Sequence, residues 1–502
     1  MPQWLLLRAR AWSGSGPALG LPLFWWLAFV ASCALAILFA PAAMVAVALL
    51  VVERERLVAA LLRSVEKVDA RGMVVGFLMV WPLLWLTVGG MTPGDDVLRH
   101  FTAWRHGHDY HRIYAHIDPR FPHESMWFGY EWLIGWLHRG LGLQLAIPVL
   151  QCLVYAAAAY SLWRVSLVLV PDRDDAWTWR LVVVAALLLT QLIYRIGIIR
   201  PEVVFTIWAM SALWMRPWAW LALGMLLQPL YWLALVYVPA AMLLQAPWRV
   251  RIGCALAVAA TGLVFWLGYA GSAWLEFFWL VGDWMRLRLA PVGENESIFL
   301  ALWMPVFVAT LLLLVWRGQP QLRRDAPVLA LLAWFLLPGQ IRYLALVHLL
   351  MVVLLARSVV LPRLNAVSQL ALWALVLAAS AYGVAASGKL SSSFAKGLPH
   401  FKTLPSDAQL LTPFDQTTFL MPAEHPGIRS APAMELGATL QPVQALAVTL
   451  SGQGRTTELD CKALQGFGFT HVVEKKMPAT APCLVLQEIS NGWRLWSVRA
   501  SQ

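Results

Sequence analysis

Long apolar stretches separated by short charged ones fill most of the chain up to residue 386. A transmembrane helix needs about 20 apolar residues, and these stretches lack the apolar–polar alternation that is typical of membrane β-strands. The predicted crossings are 21–52 (a helical hairpin turning near Pro41), 73–90, 145–169, 179–199, 202–215, 217–231, 231–246, 252–271, 298–316, 326–339, 340–357 and 366–386. The pattern therefore predicts a polytopic α-helical membrane protein with about 13 transmembrane helices.

These crossings divide the chain into three parts. Residues 1–72 are predicted to form an N-terminal membrane hairpin followed by a cytoplasmic surface helix. Residues 73–387 form the transmembrane domain, with long outer loops at 91–143 and 271–297. Residues 388–502 are polar and rich in Gly and Pro turn signals, which predicts a small extracytoplasmic α/β domain.

Within this last part, short strand-like runs occur at 408–412, 470–474, 483–487 and 494–498. It also contains Cys461 and Cys483, whereas the other three cysteines of the chain lie in apolar stretches. Two cysteines in one exported domain are compatible with a disulfide. We therefore predict a bond between Cys461 and Cys483.

The net charge of +11 does not indicate a nucleic-acid-binding protein, because the basic residues are confined to short segments between apolar stretches. Those segments contain Arg8 and Arg10; Arg54, Arg56, Arg63, Lys67 and Arg71; Arg249 and Arg251; and Arg317, Arg323 and Arg324. Such clustering is typical of cytoplasmic loops. Together with 60% hydrophobic and only 13% charged residues, it predicts a bacterial inner-membrane protein with a cytoplasmic N-terminus and a periplasmic C-terminal domain.

An acidic pair, Asp95 and Asp96, opens the first outer loop only a few residues after the predicted membrane exit at Gly90. Adjacent carboxylates repel each other, and they persist where they bind a cation, position a hydroxyl group or face water. They also suit the start of a predicted helix at 97–107, where acidic side chains cap free amides. The pair alone leaves the functional and the capping interpretations open.

Several arginines are predicted to lie at the same outer face as the acidic pair. They occur in Arg200-Pro201-Glu202, at Arg286 and Arg288, and in Arg342-Tyr343. Arginine binds phosphate in a bidentate manner. Any one of them is better explained as an interfacial arginine that snorkels to the membrane surface, but the set predicts a site for an anionic lipid headgroup.

The first outer loop also contains closely spaced histidines, namely His106, His108, His111, His116 and His123. No HExxH motif or Cys/His quartet accompanies them, so we interpret this region as a solvated polar loop and predict no metal site there. The chain also lacks a Walker A motif and a GxSxG nucleophile elbow.

Taken together, residues 73–502 resemble the GT-C superfamily of membrane glycosyltransferases, which use polyprenyl-phosphate-linked sugars at the outer side of the membrane. The resemblance rests on four short features: Asp95-Asp96, Arg200-Pro201-Glu202, the loop at 271–297 and Arg342-Tyr343. The chain departs from the family in two places. Trp127–Trp132 stands where several relatives carry a Pro-Pro pair, and residues 388–502 lack a Trp-Trp-Asp signature. Both departures leave the donor and the acceptor open.

The resemblance implies a single inverting displacement in which Asp95 acts as general base and Asp96 supports it. Some branches of the family use a divalent cation, Mg²⁺ or Mn²⁺, which this acidic pair would hold, and others use none. The residues implied in binding the donor phosphate are Arg200, Glu202, Arg286, Arg288, Arg342 and Tyr343. Those implied in supporting the acceptor or the loop are Arg99, His100, Tyr130 and Glu131.

The partners implied are a polyprenyl-phosphate-linked sugar, membrane lipids and a glycan, lipid or protein acceptor. Three other functions remain open from the sequence: a transporter or flippase of lipid-linked sugars, a glycan polymerase or ligase, and a noncatalytic assembly subunit. A transporter would place ionisable residues near the membrane midplane, whereas the charges here concentrate in the loops.

Overall fold

A computed structural model of the protein describes most of residues 95–271 and parts of 319–376 and 399–499. The described stretches are 95–119, 121–188, 199–271, 319–336, 344–358, 361–365, 399–413, 425–432, 439–450, 458–475 and 481–499, with single positions or pairs at 192, 195–196, 368–369, 371–372, 376 and 421–422.

The first part of the chain is helical. Its helices are α1 (Asp95–Arg105), α2 (Tyr110–Ile113), α3 (Phe128–Leu141), α4 (Leu143–Leu169), α5 (Ala176–Leu188), α6 (Pro201–Ser211), α7 (Pro217–Leu227), α8 (Trp248–Ala270), α9 (Gln319–Leu336) and α10 (Leu344–Ser358), with 3₁₀ helices at Gln228–Leu230 and Trp232–Leu243. The predicted helix after the acidic pair is confirmed as α1, which begins at Asp95 itself. Arg105 in its last turn complements the helix dipole.

Two helices in the described stretches are long and apolar enough to cross a membrane, judged by length and composition. They are Leu145–Leu169 and Trp248–Tyr269, and both coincide with predicted crossings. The total of about 13 stays a prediction. The crossings predicted at 21–52, 73–90 and 298–316, and nearly all of 366–386, lie outside the described residues.

The region 217–246 differs from the two α-helical crossings that the sequence predicts there. Helix α7 ends at Leu227, Tyr231 adopts an extended conformation, and Trp232–Leu243 forms a 3₁₀ helix. Pro229 and Pro239 interrupt this region, and proline supplies no backbone N–H for an α-helical hydrogen bond. Because a 3₁₀ helix rises about 2.0 Å per residue, the second segment is nonetheless roughly 24 Å long.

Polar contacts join the far end of α4 to the segment that follows α10. Arg173 donates from Nη1 to the carbonyl oxygen of Leu361 at 2.8 Å, and the backbone N–H of Leu364 donates to Asp175 at 2.8 Å. Since the other end of α4 follows α3 directly, the outer-loop helices and this polar contact lie at opposite ends of the helical part.

The C-terminal part contains a five-stranded sheet, which confirms the predicted α/β character. Its strands are β1 (Gln409–Leu411), β2 (Arg429–Ala431), β3 (His471–Glu474), β4 (Leu484–Ser490) and β5 (Trp493–Val498), and its helices are α11 (Gln441–Leu450) and α12 (Cys461–Gly466). The strand order is β2-β1-β3-β5-β4. The β2-β1-β3 half is parallel and the β3-β5-β4 half antiparallel. The predicted disulfide between Cys461 and Cys483 is present.

The loop that follows α2 is attached to the parallel edge of this sheet. Tyr114 forms an isolated bridge with Ser430 of β2, and the N–H of Ala115 donates to the Ser430 carbonyl at 2.8 Å. In the turn after α1, Nε2 of His106 lies 3.0 Å from the carbonyl oxygen of Pro426. The loop and the C-terminal domain are therefore held together by backbone hydrogen bonds as well as by side-chain packing.

His116 forms the apolar part of the same contact. Its ring packs edge-on against Phe467 and Phe469, with centroid distances of 5.3 and 5.0 Å. Burial lowers the pKa of His116, and a hydrogen bond to the backbone of Phe467 offsets part of that effect. The packing between loop and domain therefore favours the neutral ring.

The close approach of α3 to the segment after α7 provides a stability test. A Cβ atom added at Gly129 would overlap the backbone carbonyl of Pro229, whereas nothing lies within 4 Å of a Cβ at Gly140 of the same helix. We expect Gly129→Ala to lower the free energy of unfolding by about 1–3 kcal/mol, because backbone atoms cannot move aside as a side chain can. Thermal unfolding of the purified protein in detergent would measure this loss of stability.

The matched control is Gly140→Ala, which adds the same methyl group to the same helix in open space. Alanine favours helix over glycine by about 1 kcal/mol, so this variant should unfold at or slightly above the wild-type temperature. Equal unfolding temperatures for Gly129→Ala and the wild type would contradict the packing described.

The disulfide provides a second test. Cys461 and Cys483 are 22 residues apart, and closing a loop of that length restricts the unfolded chain by roughly 3 kcal/mol. We expect Cys461→Ser/Cys483→Ser to make the C-terminal domain more sensitive to limited proteolysis than the wild type. Cys152→Ser, which removes a free cysteine of α4, is the control and should leave the cleavage pattern unchanged. Identical proteolysis of all three proteins would contradict a stabilising bond.

Candidate functional site

A buried carboxylate organises the region from residue 95 to residue 143. Glu131 lies in the first turn of α3 and has no exposed surface. Nδ1 of His108 lies 2.7 Å from its Oε2, and Nδ1 of His100 lies 3.4 Å from its Oε1. The hydroxyl groups of Ser125 and Tyr110 also donate to Oε1. These donors come from four segments of the loop, so a single side chain fixes their relative positions.

A left-handed turn brings His108 to this carboxylate. Gly107 and His108 have φ angles of 71° and 65°, a conformation that glycine adopts freely and histidine rarely. The turn reverses the chain after α1, and the N–H of Ser125 then donates to the carbonyl of His108 at 2.9 Å. Ser125 and His108 therefore approach Glu131 together.

The charge of Glu131 is compensated within the loop. Burial alone would raise the pKa of Glu131, but the hydrogen bonds from His100, His108 and Ser125 outweigh it and hold the pKa below its usual value. The residue is therefore an ionised acceptor. A buried carboxylate is tolerated only where such donors replace its hydration.

Tyr130 connects this network to the turn between α5 and α6. Its hydroxyl donates to the carbonyl of Ile199, and Ile199 has a φ of 49°, which is uncommon for a β-branched residue. The next residue is Arg200. The structure thus brings Tyr130 next to the Arg200-Pro201-Glu202 motif, although some 70 residues separate them in sequence.

Arg200 and Glu202 form a largely buried ion pair at the start of α6. Nη1 of Arg200 lies 3.6 Å from Oε1 of Glu202, and the two side chains are 12% and 10% exposed. Pro201 occupies the first helical position, where its missing N–H costs nothing. Among the described residues, Oε2 of Glu202 is buried without a hydrogen-bond partner.

Arg99 and His100 lie on α1 beside the aromatic residues that precede α3. The guanidinium of Arg99 lies 5.0 Å from the ring centroid of Trp127, a cation–π distance. The ring of His100 meets that of Tyr130 edge-on at 4.9 Å. The four residues predicted to support the acceptor or the loop are therefore close to one another.

For the other predicted site residues, the structure describes the backbone of two and none of the side chains. Asp95 and Asp96 are the first two residues of α1, and their side chains lie outside the described structure. Arg286, Arg288, Arg342 and Tyr343 also lie outside the described residues. Their roles stay predictions.

The interpretation of the loop histidines as solvated is wrong for the buried His106 and correct for the exposed His123, whereas His108 and His111 are partly buried and hydrogen-bonded within the loop. His106 is 7% exposed, His108 binds Glu131, and Nε2 of His111 lies 2.8 Å from the carbonyl of Phe121. The side chain of His123 is largely exposed. In the stretches that the structure describes, no group of three or more His, Cys, Asp or Glu could hold a metal ion.

Sequence reasoning missed Tyr110, Ser125 and Arg195 altogether. Tyr110 and Ser125 carry no motif, so only the fold could reveal them as partners of Glu131. Arg195 is 6% exposed, and its carbonyl accepts the backbone N–H of Arg200 at 3.2 Å. An arginine within an apolar stretch is a signal of function, and that signal was available in the predicted crossing 179–199.

Comparison with solved structures finds similar folds at low identity. The oligosaccharyltransferase of Archaeoglobus fulgidus in its apo form is 10% identical, with a TM-score of 0.45, over 80% of this chain and 69% of that one. ArnT from Cupriavidus metallidurans bound to undecaprenyl phosphate is 12% identical, with a TM-score of 0.48, over 86% of this chain and all of that one.

A further structure of the Archaeoglobus fulgidus enzyme AglB, in complex with an inhibitory peptide and a dolichol-phosphate, is 12% identical with a TM-score of 0.42. Two of these structures are of an oligosaccharyltransferase and one is of ArnT. No family model matches the chain, and no curated protein matches it in sequence. Since every TM-score is below 0.5, the function is argued from the residues of the site.

The dependence of the loop on Glu131 is testable. We expect Glu131→Ala to lower the free energy of unfolding by about 3–5 kcal/mol, because removing one partner leaves buried polar groups uncompensated. Thermal unfolding in detergent would measure the loss. Glu124→Ala, at an exposed position of the same loop, is the control and should change stability by less than about 0.5 kcal/mol. Equal losses in both variants would contradict the role of Glu131.

Proposed function

We propose that this protein is a membrane glycosyltransferase that moves a sugar from a polyprenyl-phosphate-linked donor to an acceptor at the extracytoplasmic face. The observation that carries the proposal is the hydrogen bond from Tyr130 to the carbonyl of Ile199. It joins the loop that begins with Asp95-Asp96 to the turn that contains Arg200. This link supports the proposal, because the acidic pair fits proton removal and Arg200 fits phosphate binding, which are the two halves of one reaction.

The reaction proposed is a single inverting displacement. Asp95 removes the proton from the acceptor nucleophile as a general base, and Asp96 supports it. The acceptor atom bonds to the anomeric carbon while the bond from that carbon to the phosphate oxygen breaks. The electron pair leaves with the lipid phosphate, so negative charge grows on the phosphate as the sugar departs.

Arg200 is suited to stabilise that leaving charge. Its side chain is only 12% exposed, and a positive charge in a poorly hydrated site acts more strongly on a developing anion than one in water. Its ion pair with Glu202, at 3.6 Å, places the guanidinium at the start of α6. Arg286, Arg288, Arg342 and Tyr343 complete the proposed donor site.

The proposed role of the C-terminal domain is to cover the site and recognise the acceptor. Its sheet edge at Ser430 binds the loop next to α2, and the carbonyl of its Pro426 lies 3.0 Å from Nε2 of His106 in the turn after α1. A domain attached directly after the helix that begins with the acidic pair is suited to present an acceptor to it. The compartment proposed for both is the periplasm of a bacterial inner-membrane protein.

The test uses the full-length protein in lipid nanodiscs with an isotopically labelled undecaprenyl-phosphate-linked sugar and membranes of the host as the acceptor source. We expect the wild type to transfer label to a new product. Asp95→Asn and Asp96→Asn should each slow transfer, by about 10²-fold for Asp95, because general-base catalysis contributes at least that much.

The control is Asp174→Asn, an exposed aspartate at the opposite end of the helical part, which should transfer at the wild-type rate. Wild-type rates in both acidic-pair variants would overturn the proposed role of the pair. Movement of the labelled lipid across a bilayer without any transfer would overturn the proposed function in favour of a flippase.

A further inference from the structure

One side of α3 is exposed and carries aromatic and basic residues. Trp132 and Trp136 are 55% and 60% exposed, and Arg139 is exposed as well. These positions follow one another at spacings of four and three residues, so their side chains share one side of the helix. The opposite side contains Ile134 and Leu137, which are buried. Neighbouring exposed tryptophans on a helix whose other side is buried mark a contact surface.

Two arginines are held over a cluster of rings that joins α3 to α1. The guanidinium of Arg139 lies 5.3 Å from the ring centroid of Trp104. That of Arg105 lies 5.8 Å from the ring centroid of Phe101. The Trp104 and Phe101 rings are 5.7 Å apart, and the ring of His138 meets both of them edge-on. Cation–π contacts with adjoining rings therefore hold the two positive charges in one region.

Positive charge dominates this region. Arg105 and Arg139 are both exposed, and within the described residues Arg139 forms no ion pair with a carboxylate. Burial lowers the pKa of His138, and the charge of Arg105 lowers it further. His138 is therefore held as a neutral ring, and the charge at the surface is that of the two arginines. Such a surface complements an anion, and above all a phosphate group.

The position of α3 in the chain shows which surroundings this surface meets. Only Gly142 separates α3 from α4, and the segment of α4 that is long and apolar enough to cross a membrane begins at Leu145. Gly142 has a φ of 73° and a ψ of 158°, so the helix is interrupted there and α3 is not the continuation of α4. Leu145 and Leu153 of α4 are 54% and 59% exposed. An exposed apolar surface thus begins directly after the exposed tryptophans.

Tryptophan and arginine both suit the boundary of a bilayer. Tryptophan is enriched where headgroups meet the hydrocarbon region, because most of the indole is apolar and its N–H is polar. Arginine keeps its charge at the level of the phosphates and forms two parallel hydrogen bonds to a phosphate group. A protein partner would also favour exposed tryptophans. The start of a membrane-crossing segment directly after α3 decides in favour of lipid.

We propose that the exposed side of α3 lies in the headgroup region of the membrane, with Trp132 and Trp136 among the lipids and Arg105 and Arg139 bound to the phosphate of an anionic phospholipid. This inference goes beyond the proposed function and does not depend on it. Arg105 lies in the last turn of α1, whereas the acidic pair lies in the first. The phosphate bound here is therefore not that of the sugar donor. Because Glu131 is on the buried side of α3, this contact also orients the network around Glu131 relative to the membrane.

The first test measures how deeply the exposed side of α3 lies in the membrane. Trp132→Cys, Trp136→Cys and the control His123→Cys are each labelled with bimane in a full-length protein whose three cysteines outside the disulfide are replaced by serine. In nanodiscs that contain lipids brominated near the headgroup end of their chains, the lipid should quench the labels at 132 and 136, and aqueous iodide should not. The label at 123, where the side chain is 63% exposed, should show the reverse.

The second test measures the bound lipid by native mass spectrometry. The full-length protein is released from vesicles of equal phosphatidylcholine and phosphatidylglycerol with a trace of undecaprenyl phosphate. Each of Arg105→Gln and Arg139→Gln should lower the retained phosphatidylglycerol about fivefold, because each removes one positive charge near the membrane surface. The matched control is Arg112→Gln, which removes an arginine that is 71% exposed in the same loop and pairs with Asp109. It should retain as much phosphatidylglycerol as the wild type.

Four results would overturn the proposal. Iodide quenching at 132 and 136 without lipid quenching would place this side of α3 in water. Labels shielded from both quenchers would show that protein covers it. Equal phosphatidylglycerol retention by the wild type and both arginine variants would exclude the headgroup site, and selective loss of undecaprenyl phosphate would assign the arginines to the donor. None of these readouts measures sugar transfer, so the proposed function is tested separately.

Discussion

A negative charge without access to water must be compensated by the protein around it, and Glu131 carries such a charge where α3 meets the loop between α1 and α3. Its donors come from α1, from the left-handed turn at His108, from α2 and from Ser125. None of these segments is long enough to be stable alone in water. The loop is ordered because every segment supplies a hydrogen bond that the carboxylate requires.

Contacts with two other parts of the chain position the network around Glu131 in the molecule. Tyr130, adjacent to Glu131, reaches the turn before α6, and Tyr114 pairs with the edge of the C-terminal sheet. The far end of α4 makes a separate set of polar contacts with the chain after α10. The helical part therefore has two polar ends. One end contains the network around Glu131, and the other contains the contacts of Arg173 and Asp175.

Sequence patterns predicted the parts of this structure that depend on local chemistry. The start of α1 at the acidic pair follows from helix capping, and four of the five strands follow from short apolar runs. The disulfide follows from two cysteines in one segment that the sequence predicts to be exported. Strand β2 was not predicted, since Arg429–Ala431 carries no β-branched or aromatic residue and becomes a strand only by pairing with β1.

The candidate site around Glu131 could not be predicted without the three-dimensional structure. Glu131 stands next to Tyr130 in a helix and has no motif of its own, and nothing local distinguishes His108 from the exposed His123. Their difference arises because a turn at Gly107 directs one histidine to a buried charge. The 3₁₀ helix at Trp232–Leu243 could not be predicted from the sequence either. Hydropathy indicates the length of an apolar segment but not the type of helix that the segment forms.

The central claim is that the loop around Glu131 faces the outside of the cell while the polar contact at Arg173 faces the cytoplasm. Single cysteines at exposed positions 124 and 172, treated with a membrane-impermeant thiol reagent, test it directly. The account predicts that position 124 reacts in intact cells and that position 172 reacts only after the membrane is opened. Labelling of position 172 in intact cells, with position 124 protected, would contradict it.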